Sequence, residues 1–354
     1  MSVLDDREHI VAVDPSDALG FVERAAEQWA EGVRRARAAS ISVEAAGIRN
    51  VVVCGMGGSG ISGDVAVAVA APLSSVPVAV VKGYDLPSWV GPDALVVCAS
   101  YSGNTEETLS CFEQARARGA RIVAVTTGGA LAELAASAGV ACISPVEGLQ
   151  PRAALYSLAP SVLVTLERLG VLPDLSGDLK EVESVLDAGA ANLRREVPTA
   201  TNEAKRLAVA LSGRLPIVWG QEGILSVAAV RWRCQLNENA KMPAWSAVLP
   251  ELDHNEIVGY DPGIAALGEV AVVVLRSPGE HPRIARRIDA TLAGMGERVG
   301  AVLEATASGQ APSARLMSAC LLGDFVSIYC ALLRGADPTP VAVIESLKAQ
   351  LASR

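Results

Sequence analysis

The feature that most constrains this chain is a repeated unit. Short apolar runs, VVVCG (51–55), VPVAVV (76–81), LVVCAS (95–100), RIVAVTT (121–127) and VACISP (140–145), alternate with helical segments and loops, two of them rich in glycine or hydroxyl residues. Such alternation predicts a parallel sheet covered on both faces by helices. The pattern then returns. LPIVWG (215–220), EVAVVVLRSPGE (269–280) and RVGAVLEA (298–305) recur in the same order, each roughly 165–177 positions further along. The expected architecture is α/β, with two doubly wound parallel-sheet domains. Ligands then belong beyond the carboxyl ends of the strands.

Around this duplication the chain divides into four parts. Residues 1–45 read as an N-terminal helical arm, with Phe21, Ala25, Trp29 and Val33 at helical spacing. Residues 46–171 form the first domain and 172–205 a charged helical link punctuated by Pro173 and Pro198. Residues 206–354 form the second domain with a C-terminal helix. A length of 354 residues suits two domains. Hydrophobic residues make up 51% and aromatics 4%, an aliphatic core that excludes global disorder. The net charge of −9 argues against a generic nucleic-acid or anionic-membrane binder. The seven cysteines are scattered without a CxxC pair, so neither a disulfide framework nor a zinc cluster is expected. Most of them suit small buried side chains in a reducing cytosol. The charged start, MSVLDDREHI, lacks a signal-peptide core.

Two loops carry the first chemical signal. GMGGSGISGD (55–64) follows a strand directly and has glycines at 55, 57 and 60. Its backbone N–H groups can approach an anion at a helix N-terminus. A dinucleotide site would want an acid at the end of the second strand, where the sequence has Val81-Lys82. A P-loop would want Gly-Lys-Ser/Thr, which is missing. A plain strand-to-helix turn remains open for this loop alone. The second loop, SYSGNTEE, groups Ser100, Ser102, Asn104 and Thr105. Helix capping by Asn104 with Glu107 would explain one polar residue. Four exceed that need, and two such loops on one sheet can surround a phosphomonoester. The matching loops of the second half, GQEG (220–223) and RSPGEHP (276–282), carry acids and prolines, so one phosphate site per chain is expected.

Three further segments are polar against apolar surroundings. PRAALYSL (151–158) places Arg152 at a helix start, where the dipole disfavours it unless a ligand or a carboxylate partner is present. QLNENAKMPA (235–244) concentrates Asn237, Glu238, Asn239 and Lys241 at a helix end, and a solvated end would read the same way. PELDHNEIVGY (250–260) sets His254 between Asp253 and Asn255; a lone histidine is more often structural.

GMGGSG and SYSGNTEET resemble a sugar isomerase (SIS) domain. PRAALYSL, NENAKMPA and HNEIVG, in this order, resemble the bifunctional phosphoglucose/phosphomannose isomerase family, which is built from two SIS domains of flavodoxin-like three-layer form. The resemblance implies a cytoplasmic homodimer with its active site at the subunit interface, using neither metal nor cofactor. It implies interconversion of glucose 6-phosphate and mannose 6-phosphate with fructose 6-phosphate. Phosphate recognition then falls on Ser59, Ser100, Ser102 and Thr105, with the backbone of Gly57 and Gly58. The base falls on Glu238, ring opening on His254 from the other subunit, and further roles on Arg152 and Lys348. Asp253 stands where the family commonly has asparagine.

Aldose–ketose isomerisation needs an anchored phosphate, a proton for the ring oxygen, a base between C1 and C2, and stabilisation of an enediolate. These residues cover the four needs. The competing expectation is a sugar-phosphate sensor without productive geometry. It has no use for Glu238, Arg152, His254 and Lys348 together.

Overall fold

The computed structural model describes residues 2–261 and 263–352. The N-terminal arm is three helices, α1 (Arg7–Val13), α2 (Ala18–Glu23) and α3 (Ala25–Ala38). The stripe expected as one helix breaks at Arg24, whose φ of −95° and ψ of 21° end α2 and begin α3. Phe21 and Trp29 therefore lie on different helices. Trp29 is fully buried, and its Nε1 donates to the Leu179 carbonyl at 2.9 Å.

The first sheet comes next. Its elements are β1 (Asn50–Cys54), α4 (Gly57–Ala70), β2 (Val78–Val81), β3 (Ala94–Ala99), α5 (Glu106–Ala117), β4 (Arg121–Val125), α6 (Gly129–Ser137) and β5 (Ala141–Ile143). All pairings are parallel in the order β2-β1-β3-β4-β5. The unbroken apolar text of these strands is what burial on both faces requires. β3 is buried along its whole length. The order reverses between β1 and β3, which opens a crevice at their carboxyl ends.

A 3-10 turn (Pro151–Ala153) leads into α7 (Leu155–Arg168), followed by α8 (Ser176–Leu193) and α9 (Glu203–Leu211). The second sheet follows as β6 (Leu215–Gln221), α10 (Ile224–Glu238), β7 (Trp245–Leu249), β8 (Val270–Arg276), α11 (Pro282–Met295) and β9 (Ala301–Thr306). Its parallel order, β7-β6-β8-β9, repeats the first four places of the first sheet. The strand β7 is the element that sequence reading missed. Its text, WSAVL, sits between two polar motifs and is only partly buried. The chain closes with α12 (Pro312–Arg334) and α13 (Ala342–Ala352).

The two sheets share one core. Val51, Val53, Leu95 and Val97 of the first and Val218, Val273 and Leu275 of the second belong to a single apolar cluster. Helices fill the space between: α4 packs on α7 and α10, and α10 on α12. Gly323 lets α12 approach Trp232 of α10, since a Cβ there would collide with the indole ring. α12 is long and apolar enough to cross a membrane by composition, but 89% of that stretch is buried inside the fold, as a core helix is. Both sheets are therefore fixed relative to each other, and side chains from both can meet with constant geometry.

Candidate active site

The glycine loop and the hydroxyl loop leave β1 and β3, the two strands at the switch point. α4 starts after Met56 with no side-chain cap, and α5 starts after Thr105, also without one. Among the described residues no side chain caps the first N–H groups of either helix, which leaves them for an anion at the crevice. Asn104 does not cap α5 as the capping alternative required; its Oδ1 accepts from the N–H of Ala130 at 3.0 Å. Gly57 has a φ of 51°, in the left-handed region.

The loops are tied to each other. Ser59 Oγ accepts from the N–H of Tyr101 at 3.1 Å. Ser100 Oγ and Thr105 Oγ1 lie 2.9 Å apart, and Ser100 Oγ accepts from the Gly103 N–H at 3.1 Å. Ser59 and Ser100 are buried, Thr105 is half-buried, and Ser102 is exposed at the mouth. Tyr101, which sequence reading passed over, links this region onward. Its hydroxyl donates to Val146 O and accepts from Leu149 N, each at 2.8 Å. Burial raises its pKa, so the phenol stays protonated and can serve both bonds.

That link leads to Arg152. Gly58 faces it at close quarters, because a Cβ on Gly58 would fall inside contact distance of the Pro151 carbonyl. Arg152 is buried in the 3-10 turn before α7, not in the helix itself. Its partners are not carboxylates. Nε donates to Asn239 Oδ1 at 2.8 Å, and Nη2 donates to the carbonyls of Pro338, at 2.8 Å, and Thr339. Among the described residues it forms no salt bridge. Burial holds its pKa below the ordinary arginine value, partly offset by the charge of Glu238.

Glu238 is the last residue of α10, half-buried, and its carboxylate has no hydrogen-bond partner among the described residues. Lys241 turns back through a left-handed backbone (φ 54°) and donates to the carbonyls of Glu238, of Pro338 at 3.2 Å and of Pro340 at 2.7 Å. Burial and then the charge of Arg152 lower its pKa. Two cations thus pin the 338–340 carbonyls beside Glu238, and α13 starts from this anchored segment. Behind Arg152 and Asn239, a cavity of about 20 Å³ is lined also by Phe21, Gln235 and Ile328.

One predicted residue stands apart. His254 is exposed in a 3-10 turn after β7, and its ring has no hydrogen-bond partner among the described residues. The N–H of Glu222, just before α10, donates to Leu249 O at 2.9 Å, so the end of β7 lies beside the start of α10. Glu238 lies at the other end of that helix. The helix is 15 residues long, on the order of 20 Å at 1.5 Å per residue. One chain does not bring His254 to Glu238. Asp253 faces α11, accepting from Arg287 at 3.2 Å and Thr291 at 2.9 Å. Lys348 is exposed on α13, one turn beyond Ile344 and next to Leu347. At the switch point of the second sheet, Arg276 is taken up by Glu280, with Nε at 3.0 Å.

Sequence comparisons decide the family. Residues 46–169 match the SIS domain family, and residues 200–351 match the bacterial phospho-glucose isomerase C-terminal SIS domain. A bifunctional phosphoglucose/phosphomannose isomerase of Caldicellulosiruptor bescii is 42% identical over 88% of this chain and 92% of its own length. The chain belongs to the bifunctional phosphoglucose/phosphomannose isomerase family. A D-glucosamine-6-phosphate 4-epimerase of Sulfolobus acidocaldarius is 32% identical over 66% of this chain and 71% of its own length. The crystal structure of a glucose-6-phosphate isomerase like protein from Thermus thermophilus shares the fold, with a TM-score of 0.65 at 21% identity over 98% of this chain and 99% of that one.

Behind the family motifs lies a buried ion pair that they do not contain. Arg231 Nε and Nη2 meet Asp324 at 2.9 and 2.8 Å, both side chains 1% exposed. Burial works against the Arg231 charge, but Asp324 outweighs it and holds the guanidinium above its ordinary pKa. The signal was in the text: Asp324 is the single charge in the 18-residue stretch between Arg315 and Arg334 of α12. Leaving either partner alone would cost about 3–5 kcal/mol.

Proposed function

We propose that this protein interconverts glucose 6-phosphate and mannose 6-phosphate with fructose 6-phosphate, by proton transfer through a cis-enediol. The observation that carries the reading is a Glu238 carboxylate uncommitted among the described residues, beside a buried Arg152 that has no carboxylate partner among them. A base must be free to take a proton, and a fixed cation can hold the charge that then develops on oxygen.

In this reading the phosphate sits in the β1/β3 crevice. Ser59, Ser100, Ser102 and Thr105 offer hydroxyls, and the backbone at Gly57 and Gly58 offers N–H groups. Anchoring there spends remote binding energy on orienting C1 and C2. Glu238 removes the C2 proton of the aldose and returns it to C1. Arg152 stabilises the enediolate oxygen. Glucose and mannose phosphates differ only at C2, so a site whose cation and base tolerate either configuration serves both.

Ring opening needs a proton donor, and one chain does not place His254 near Glu238. We assign it to His254 of a second copy, with Lys348 assisting. A homodimer with the site at its interface is supported by exposed apolar surface. Val343 is 84% exposed and Leu347 55%, both on α13 beside Lys348, and that stripe lacks cover in one chain. Seven free cysteines suit a reducing cytoplasm. The same reading divides the chain into the arm 1–45, the phosphate-binding domain 46–171, the link 172–205 and the second domain 206–354.

A coupled assay with EDTA present tests the function. Fructose 6-phosphate is supplied, and glucose 6-phosphate and mannose 6-phosphate are quantified separately. Both products are expected. No product, with fructose 6-phosphate still raising the melting temperature, would favour the non-catalytic sensor or action on another phosphosugar.

A further inference from the structure

Asp324 sits in the middle of the core helix α12, fully buried, and accepts from Arg231 twice and from the Tyr156 hydroxyl at 2.9 Å. A buried pair of this kind is a poor source of stability, because desolvating two charges offsets most of their attraction. Apolar side chains of the same volume would do as well. What the pair holds is more specific. Arg231 Nη2 also donates to the main-chain carbonyl of Arg152 at 2.6 Å. One turn along α12, the Ser327 hydroxyl donates to Asp324 O at 2.7 Å and accepts from Asn239 Nδ2 at 2.9 Å. Asn239 Oδ1 then accepts from Arg152 Nε.

These bonds close a ring. It starts at the backbone of Arg152, crosses Arg231, Asp324, Ser327 and Asn239, and returns to the guanidinium of Arg152. Every side chain in it is buried. The ring spans both halves of the chain, with Arg152 after the first sheet, Arg231 on α10, Asn239 at its C-terminal cap, and Asp324 and Ser327 on α12. Ser327 also decides which way the Asn239 amide faces. Its hydroxyl is spent as a donor on Asp324 O, so it can only accept from Asn239, and the amide oxygen is left to meet Arg152. Asn239 is the neighbour of Glu238, so the same amide fixes the end of α10.

We propose that Arg231, Asp324 and Ser327 are positioning residues that hold Arg152 and the Glu238 carboxylate in reactive register across the two domains. They touch no substrate. The Ser59–Thr105 crevice lies outside the ring, so phosphate binding is separable from it. The proposal rests on Glu238 and Arg152 being the reacting groups. Displacing such groups by about 1 Å can cost a hundredfold in rate.

The test is steady-state kinetics on fructose 6-phosphate with Ser327→Ala, Ser327→Thr and, as a burial control, Ser161→Ala. The Ser161 hydroxyl is equally buried but donates only to Ser157 O within α7. Ser327→Ala is expected to lower kcat about 10- to 100-fold, with KM held within about two-fold. Ser327→Thr keeps the hydroxyl and restores most of kcat, and Ser161→Ala leaves kcat near wild type. Equal kcat in Ser327→Ala and Ser161→Ala, or a rise in KM alone, would overturn the proposal. Glu238→Gln is run alongside; full turnover there would remove the underlying assignment, and this proposal with it.

Discussion

Arg152 Nε donates to Asn239 Oδ1 across 2.8 Å, and that bond joins the segment after the first sheet to the helix end of the second. Both atoms are buried, so water does not compete for the bond. The relationship makes Glu238, one residue before Asn239, depend on a side chain 86 positions earlier. Function in this chain is therefore a property of the joined halves. Neither sheet alone carries a phosphate crevice, a fixed cation and a free carboxylate.

Arg152→Lys follows directly from this geometry. Arg152 serves acceptors on two sides, one through Nε and two through Nη2. A lysine ammonium is a single point and cannot span them. The charge survives, but its position does not. Turnover of fructose 6-phosphate is expected to fall about 10²- to 10³-fold, while phosphate affinity changes little. Steady-state kinetics with inorganic phosphate as competitive inhibitor measures both.

The crevice hydroxyls make the opposite prediction. In the proposed site, Ser59→Ala and Thr105→Ala remove groups that would face the phosphate before and during reaction alike. Loss of uniform binding raises KM and leaves kcat. A KM for fructose 6-phosphate at least about a hundredfold higher in the double variant is expected, from two hydrogen bonds to a charged group at about 1.5–3 kcal/mol each. An unchanged KM would place the phosphate elsewhere.

Gly58→Ala tests the close approach between the first loop and Arg152. The added methyl meets the Pro151 carbonyl, a backbone atom with no freedom to swing aside. Overpacking of this kind costs about 1–3 kcal/mol. It would also shift the turn that carries Arg152. Thermal denaturation should show a lower melting temperature, and the assay a lower kcat, in the same variant.

Much of this was legible in the sequence, for a physical reason. Strands such as LVVCA and RIVAV are buried on both faces, so their apolar text is continuous and marks them. The loops after β1 and β3 are marked because glycine and clustered hydroxyls have few other uses there. β7 was missed because WSAVL is partly exposed and follows a polar motif. The break at Arg24 was missed because the apolar spacing carries on through it. Tyr101 and Asp324 were missed for another reason. Their importance lies in partners 45 and 168 positions away, Val146 and Tyr156, which spacing along the chain does not reveal. Arg152 was flagged correctly as needing partners, and those partners proved to be carbonyls and an amide.

The separation of His254 from Glu238 yields a complementation experiment. If each site takes Glu238 from one subunit and His254 from the other, Glu238→Gln and His254→Asn chains can repair each other. A random one-to-one mixture gives half mixed dimers, each with one intact site of two. Activity near a quarter of wild type is then expected, from two parents that are each nearly inactive. No recovery after unfolding and refolding the mixture together would mean that the site is built within one chain.

The central claim is that Glu238 carries a proton between C1 and C2. Fructose 6-phosphate converted in D2O, followed by NMR of the recovered aldose phosphates, tests it most directly. Deuterium is expected at C2 of both glucose 6-phosphate and mannose 6-phosphate, because a carboxylate exchanges its proton with solvent between the two transfers. Glu238→Gln is also expected to lower formation of both products about 10²- to 10⁴-fold. Products free of solvent deuterium together with undiminished turnover in Glu238→Gln would contradict that claim.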